Sequence, residues 1–211
     1  LISPFVSGFP QFGPKIKLGI LASGNGSNFE YIIKSIKNKK LNAEISILIV
    51  NNPECLAIKK AIKYNIPYLI INHRDFQTRS EHDREVMEKL EYYSVELVVM
   101  AGWMRIVGDA LINKFKNRLI NIHPSLLPSF KGIDAIQQAM DSKVTITGCT
   151  VHFVNKEVDS GSIIIQAAIP LNHNESKDKV KKQIQDMEHL ILPLAIGIVA
   201  KNIRSDVKDK M

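Results

Sequence analysis

The sequence predicts an α/β protein, with an open, mostly parallel twisted sheet of the Rossmann-like kind and helices on both faces. Short apolar runs alternate with helical segments over roughly 110 residues, which favours a parallel sheet. After residue 144, two runs alternate between polar and apolar residues, as antiparallel strands do. The sequence therefore predicts antiparallel strands near the C-terminal part of the chain.

The first half of the chain supplies the predicted parallel strands and their helices. Apolar runs typical of buried strands cover residues 16–22, 43–50, 66–71, 95–102 and 118–123. Helical periodicity covers the segments between them, residues 27–37, 54–65, 79–94 and 108–116. Ser27 and Asn28 are good N-caps for the first helix, and Pro53 suits the start of the second.

The last third has a different pattern. Residues 144–154 and 161–170 are predicted as antiparallel strands joined by the turn 155–160. A final helix is predicted over 176–201, and Pro193 is expected to kink or split it because proline lacks a backbone N–H. Residues 16–211 are expected to form a single domain. Residues 1–15 carry three prolines and three aromatic residues without periodicity, and we expect an extension or a cloning remnant outside the fold.

The composition is ordinary for a globular protein, with 45% hydrophobic and 23% charged residues. The net charge of +7 suits anionic small substrates or reflects coding bias, and its scattered lysines do not indicate a nucleic-acid partner. No apolar run approaches the roughly 20 residues of a membrane helix. Cys55 and Cys149 lack metal-ligand spacing, which favours a reduced, cytoplasmic protein without a metal. We expect a monomer or a weak homodimer.

The stretch "SGNGSN" joins the first strand to the first helix. Its glycines allow backbone N–H groups to approach a ligand, and the helix N-terminus favours an anion. It lacks the full dinucleotide-binding pattern and the lysine of a P-loop, and Asn51 and Asn52 stand where an acidic residue would be expected. The stretch therefore predicts a site for a phosphate monoester, with a tight turn and a serine cap as the alternative.

Asn121 and His123 are two residues apart on a predicted strand, so their side chains point to the same face. An amide donor beside an imidazolium can hold a developing oxyanion, although a lone histidine is often structural. Asp159, in the turn between the antiparallel strands, either bonds its own backbone or orients His123. His152 is an alternative partner. Earlier in the chain, residues 101–108, "AGWMRIVG", include Trp103 and suit the wall of a slot for a flat heterocycle.

Four stretches in order, "LASGNGSNF", "MAGWMRI", "NIHPSLLPSFKG" and "VHFVNKEVDSG", resemble the phosphoribosylglycinamide formyltransferase family. The resemblance runs from about Lys17 to about Ala200. It implies transfer of the formyl group of 10-formyltetrahydrofolate to the amine of glycinamide ribonucleotide, in purine biosynthesis, on the family's Rossmann-like fold. It also implies small-molecule substrates, with no metal, and a cis bond between Leu127 and Pro128.

The resemblance assigns roles to residues by motif. The catalytic positions are Asn121, His123 and Asp159. The positions that bind the ribonucleotide are Gly24, Asn25, Gly26, Ser27, Asn28, Gln185 and Glu188. The positions that bind folate are Met104, Arg105, Ile106, Val107, Asn121, Val154, Val158 and Asp159. Where some members have histidines near the phosphate, this sequence has Asp134 and Ile136, for which Ser129, Lys131 or Gln137 are expected to compensate.

Other functions fit parts of the pattern. Methionyl-tRNA formyltransferase shares the Asn-x-His stretch, but it has a further C-terminal domain for which 211 residues are expected to leave no room. Formyltetrahydrofolate deformylase, a hydrolase, shares the core, but it has an additional N-terminal domain for which residues 1–15 are expected to be too short. A non-catalytic phosphate-binding module is the alternative from another class. A separation above about 8 Å between the side chains of His123 and Asp159 would favour that module, since catalytic partners lie within hydrogen-bond reach or one water.

Overall fold

The computed structural model describes residues 1–4 and 8–208. These residues form an eight-stranded sheet in the order β1-β8-β7-β6-β5-β2-β3-β4. Strands β2 to β6 pair in parallel, whereas β7 pairs with β6 and β8 in antiparallel fashion. The strands are β1 (Ile2–Ser3), β2 (Ile16–Ala22), β3 (Ala43–Val50), β4 (Tyr68–Ile70), β5 (Leu97–Met100), β6 (Leu119–His123), β7 (Ile146–Phe153) and β8 (Ile163–Pro170).

Helices cover both faces of this sheet, as predicted. They are α1 (Ser27–Lys37), α2 (Ala57–Tyr64), α3 (Arg79–Tyr92), α4 (Asp109–Lys114), α5 (Ala135–Asp141) and α6 (Lys177–Lys208), with a 3₁₀ turn at His73–Asp75. Strand β5 illustrates the two cores, because Leu97 and Val99 pack with α1 and α6, whereas Val98 and Met100 pack with α3 and α4. The predicted α/β class is therefore confirmed.

Several element bounds differ from the prediction. Strand β5 is confined to Leu97–Met100, α2 begins at Ala57, and α5 was not predicted because seven residues give little periodicity. Helix α6 runs continuously through Pro193, so the helix is not split there, whereas the other alternative, a kink, stays a prediction. Proline removes one backbone donor, and the buried residues on either side of it, Leu192 and Leu194, keep the helix packed on the sheet.

The placement of residues 1–15 outside the fold is also wrong for the part that the structure describes. Ile2 and Ser3 pair with Ala167 and Gln166 at the edge of β8. Farther along, Phe9 and Phe12 pack against the core, and Arg204 of α6 donates hydrogen bonds to the carbonyls of Pro14 and Lys15. An irregular segment such as this one shows neither helical nor strand periodicity in its sequence. The rings of Phe9 and Phe12 become buried only through contacts with other parts of the fold.

Candidate active site

The carboxyl ends of β2, β5 and β6 lie side by side, and the polar segments that follow them meet at this edge of the sheet. The N–H of Ser23 donates to the carbonyl of Gly102 (3.0 Å), and the N–H of Met104 donates to the Ser23 hydroxyl (2.9 Å). Ligands of open α/β sheets bind outside the carboxyl ends of the strands. The polar segments after these three strands therefore form a candidate ligand site.

The loop 23–26 ends at the first turn of α1. The N-cap is Gly26, in the left-handed conformation (φ 66°), and not Ser27 or Asn28, which lie inside the helix. A Cβ on residue 26 would lie 2.6 Å from the Cβ of Ala57, so only glycine fits this close approach. Gly26 has no side chain with which to cap the helix, and the N–H groups of its first turn can therefore receive an anion.

A buried amide–carboxyl pair lies beside this helix start. The amide of Asn28 donates to the carboxyl of Glu188 on α6 (2.9 Å), and both side chains are buried. Burial raises the pKa of Glu188 to about 7, against the lowering effect of the bond from Asn28. Asn28 Oδ1 has no partner among the described residues. Gln185, half-buried and three residues before Glu188, lies on the same side of α6.

Strand β6 and the β7–β8 connection bring the three residues assigned to catalysis together. His123 Nδ1 lies 3.3 Å from Asp159 Oδ2, far below the separation that would favour a non-catalytic module. The same carboxylate oxygen accepts the N–H of Gly132 (2.9 Å). Gly161 permits this turn, since a Cβ there would lie 1.7 Å from the carbonyl oxygen of Phe153. Asp159 therefore contacts His123, which is one of the two alternatives that the sequence left open.

His152 is the residue that the sequence reasoning ranked too low, because the structure makes it a second partner of Asp159 and not merely an alternative to His123. Its Nε2 lies 3.3 Å from the amide nitrogen of Asn121 and 3.5 Å from Asp159 Oδ1, and its Nδ1 faces the carbonyl of Phe153 (2.8 Å). In the antiparallel pairing of β6 and β7, His152 stands opposite Asn121. The pairing register of β6 and β7 was the signal that could have identified His152 as part of the site.

His123 is not free to face a ligand, contrary to expectation. Its Nε2 lies 2.8 Å from the carbonyl oxygen of Phe130, while Nδ1 faces Asp159. Both neighbours are hydrogen-bond acceptors, so only the imidazolium, with two N–H groups, satisfies both of them. Phe130 has φ 57°, a left-handed conformation that costs free energy for a bulky residue. The turn after Pro124 thus folds back over the imidazole.

Asp159 is ionised in this setting. Burial alone would raise the pKa of its carboxyl, but the contacts from His152, the N–H of Gly132 and the charge of His123 together hold that pKa below its usual value. Among the described residues, no group of three or more histidine, cysteine, aspartate or glutamate side chains is arranged to hold a metal ion.

The residues assigned to folate fall into two groups. Met104 (82% exposed), Ile106 and Val158 are open to solvent, and Arg105 is half-buried with Nε lacking a partner within the described part of the chain. Val107 and Trp103 are buried in the core, so their side chains do not line a slot and a ligand can meet only their backbone. An ion pair between Lys156 and Asp109 (2.7 Å) joins the turn that carries Val154 and Val158 to the start of α4.

In the stretch where this sequence departs from the family pattern, the side chains make contacts with nearby residues. Asp134 pairs with Lys177 (2.8 Å), and Ile136 is buried in the core, so neither takes the place of a histidine at a phosphate. Lys131 contacts Ser160, and Gln137 donates to Asp141 (2.9 Å). The Leu127–Pro128 bond is cis, as the resemblance implies. The compensating roles of Ser129, Lys131 and Gln137 stay predictions.

Known proteins match nearly the whole chain. The formyl transferase family profile matches residues 16–196. A phosphoribosylglycinamide formyltransferase of Bacillus subtilis is 36% identical over 180 residues, covering 85% of this chain and 92% of that protein. The human trifunctional purine biosynthetic protein adenosine-3 is 40% identical over 186 residues, or 88% of this chain. The chain spans only 18% of the length of this human relative.

Solved structures agree with the sequence relatives. Glycinamide ribonucleotide transformylase 1 from Symbiobacterium toebii superposes with a TM-score of 0.88 at 34% identity, over 93% of this chain and 94% of that chain. A phosphoribosylglycinamide formyltransferase from Campylobacter jejuni gives a TM-score of 0.82 at 36% identity, over 88% and 97%. The resemblance drawn from the sequence motifs is confirmed, and the chain belongs to the formyl transferase family.

Proposed function

We propose that this protein transfers the formyl group of 10-formyltetrahydrofolate to the amine of glycinamide ribonucleotide, a step of de novo purine biosynthesis. The observation that carries the proposal is the cluster of Asn121, His123, His152 and Asp159, joined by contacts of 3.3–3.5 Å at the carboxyl edge of the sheet. The Bacillus subtilis relative, matched over 92% of its length, is named for this reaction.

The ribonucleotide lies between α1 and α6 in this proposal. Its phosphate meets the N–H groups of residues 24–28 at the start of α1, where the helix dipole favours an anion. Gln185 and Glu188 on α6 bind the sugar and the glycinamide portion, and Glu188 is already held by Asn28. Fixing the phosphate orients the amine, so binding far from the reaction centre lowers the barrier.

The folate lies between residues 104–107 and the turn that carries Val154, Val158 and Asp159. The exposed side chains of Met104, Ile106 and Val158 provide apolar surface for its rings. Arg105 and the backbone at Val107 supply polar contacts to the pterin. Asn121 and Asp159 close the inner end, next to the transferable formyl group.

The reaction begins when the amine attacks the formyl carbon, which gives a tetrahedral intermediate with negative charge on oxygen. Asn121 donates one N–H to this oxygen, since an amide nitrogen carries two hydrogens and His152 uses only one. The imidazolium of His123 donates Nε2–H after it turns from the carbonyl of Phe130. Such donors aimed at a developing oxyanion each stabilise the transition state by about 2.7–4 kcal/mol.

Proton transfers complete the reaction. Ionised Asp159 accepts a hydrogen bond from Nδ1–H of His123, and the same carboxylate passes the proton released by the attacking amine to water. The folate nitrogen takes up a proton as its bond to the formyl carbon breaks. The products are the formylated ribonucleotide and tetrahydrofolate, with no change of oxidation state.

The structure also bears on the setting in which this reaction runs. Within residues 1–4 and 8–208, no helix is long and apolar enough to span a membrane. We propose a cytoplasmic enzyme that is a monomer or a weak homodimer and that acts on small molecules without nucleic acid or a metal.

The test is to incubate the purified protein with 10-formyltetrahydrofolate, with and without glycinamide ribonucleotide, and to follow release of tetrahydrofolate. We expect release only when the acceptor is present, together with formylation of the acceptor seen by mass spectrometry. Release without acceptor would identify a deformylase. No release with either mixture, despite a folded protein, would favour a phosphate-binding module.

A further inference from the structure

The loop proposed to hold the phosphate accepts hydrogen bonds, on one side, from α2 and from the segment that leads into it. The thiol of Cys55 donates to the carbonyl oxygen of Gly24 (2.9 Å), and the N–H of Ala57 donates to the same oxygen (3.2 Å). The ammonium of Lys60 donates to the carbonyl oxygen of Gly26 (3.2 Å). Donors on α2 and just before it therefore occupy the carbonyls on both sides of Asn25.

Because of the geometry of the peptide unit, these hydrogen bonds to carbonyls also fix the direction of the N–H groups of Asn25 and Ser27. In a trans peptide the C=O and N–H bonds point in opposite directions. When Gly24 and Gly26 turn their carbonyls toward α2, the N–H groups of Asn25 and Ser27 must point away from it. They then face the other side of the loop, at the start of α1, where the N-cap residue Gly26 has no side chain to cap the helix. An anion meets donors there and is not repelled by carbonyl oxygens.

The side chains of Lys60 and Cys55 are themselves held in place by neighbouring groups. The carboxylate of Glu30 lies 3.1 Å from the ammonium of Lys60 and accepts the hydroxyl of Tyr64 (3.1 Å). Cys55 is only 4% exposed, and burial raises the pKa of its thiol, which keeps the S–H group as a donor. Asn28 adds an independent indication of a ligand, because its Oδ1 is buried without a partner in the described chain.

We propose that Cys55 and Lys60 are positioning residues of the ribonucleotide site, which hold the carbonyls of residues 24 and 26 away from the phosphate. This inference rests on the proposed function and adds the two side chains that orient the carbonyls of the phosphate loop. Neither side chain needs to touch the substrate. Their two hydrogen bonds add to those that the backbone N–H of Ala57 donates to Gly24 and the backbone N–H of Glu30 donates to Gly26. Loss of either side-chain donor therefore weakens phosphate binding without abolishing it.

The test compares Cys55→Ala with Cys55→Ser, and Lys60→Met with Lys59→Met. The first member of each pair loses a donor, whereas serine keeps a hydroxyl donor and Lys59 is an exposed neighbour with no hydrogen bond to the loop. Loss of one hydrogen bond is expected to raise KM for glycinamide ribonucleotide about 3–10-fold. We expect kcat and KM for the folate to stay within about twofold, and the same for both control variants.

Inorganic phosphate gives a second readout, because its inhibition constant against the ribonucleotide should rise by the same factor in Cys55→Ala and Lys60→Met. Unchanged ribonucleotide KM in both variants would overturn the inference. So would a parallel rise in both KM values with a lower melting temperature, which indicates a merely structural role. If Cys55→Ala does not fold, Lys60→Met and Cys55→Ser decide alone.

Failure of the proposed function leaves a different signature. A wild-type protein that forms no formylated ribonucleotide would refute the activity. The positioning role is then judged by titration calorimetry with ribose 5-phosphate on the same variants, where weaker binding by Cys55→Ala and Lys60→Met supports it. Absence of binding to the wild type, or equal binding by all variants, would refute the positioning role as well.

Discussion

Replacing Glu188 by glutamine should stabilise the protein at pH 8 and change it little at pH 5. The pKa of Glu188 is raised from 4.5 to about 7 by burial. A carboxyl with a higher pKa in the folded state binds its proton more tightly when folded, so stability falls as pH rises from 4.5 to about 7. At pH 8 the folded carboxylate is ionised in a buried site, where its negative charge lacks water.

The size of the effect follows from the shift. Each pKa unit corresponds to about 1.4 kcal/mol, so a shift of roughly 2.5 units makes the ionised Glu188 cost about 3 kcal/mol at pH 8. At pH 5 most of this cost is absent, because the folded carboxyl is protonated. Glutamine keeps an oxygen that can accept the bond from Asn28, so the substitution removes the charge and preserves the contact.

Urea denaturation of the wild type and Glu188→Gln at pH 5 and pH 8 measures this difference. Asp178→Asn, which removes an exposed carboxylate from the first turn of the same helix, is the matched control and should give the same change at both pH values. A stability gain that is equal at pH 5 and pH 8, or no gain at pH 8, would refute the reasoning. The gain in stability should accompany weaker binding of the ribonucleotide, as for many functional groups that are costly to bury.

Other substitutions test the site and the fold. Asn121→Ala and His123→Ala should each lower kcat by about 10²–10³-fold with modest changes in KM in steady-state assays, and near wild-type turnover of purified His123→Ala would contradict the role of the imidazolium. Asp159→Ala should also lower kcat by orders of magnitude. Because its contacts lower the pKa of Asp159, the stability that they give is lost as pH falls through that lowered pKa, and acid denaturation of the variant should show a weaker pH dependence. Gly26→Ala should lower the free energy of unfolding by about 1–3 kcal/mol, since the new Cβ meets Ala57 and the left-handed backbone disfavours it; unchanged denaturation midpoints would contradict the close approach.

The sequence was sufficient to predict strands β2 to β8, although not β1, and to place Asn121 and His123 at the carboxyl edge of the sheet. Strand–helix alternation predicted the parallel half, and the period-two patterns predicted β7 and β8. Because Asn121 and His123 are two residues apart, strand geometry alone places them on one face. The contact with Asp159 needed the fold of a turn, which the sequence offered only as one of two alternatives.

The remaining features depend on register and on long-range packing. His152 gains its role only because β7 pairs with β6 in a register that sets it opposite Asn121. The carbonyl of Phe130 reaches His123 through a left-handed backbone that no propensity predicts for phenylalanine. Likewise, Pro14 and Lys15 near the start of the chain are held by hydrogen bonds from Arg204, a residue far away in the sequence.

The two borders of the sheet are protected from self-association by different means. Strand β4, at one border, is only three residues long, which leaves little backbone for another chain to pair with. At the other border, Ile2 and Ser3 of β1 pair with part of the outer edge of β8, a strand of eight residues. Trimming the first four residues would therefore uncover a longer template for strand addition, and the protein should then become more prone to aggregate while its chemistry stays intact.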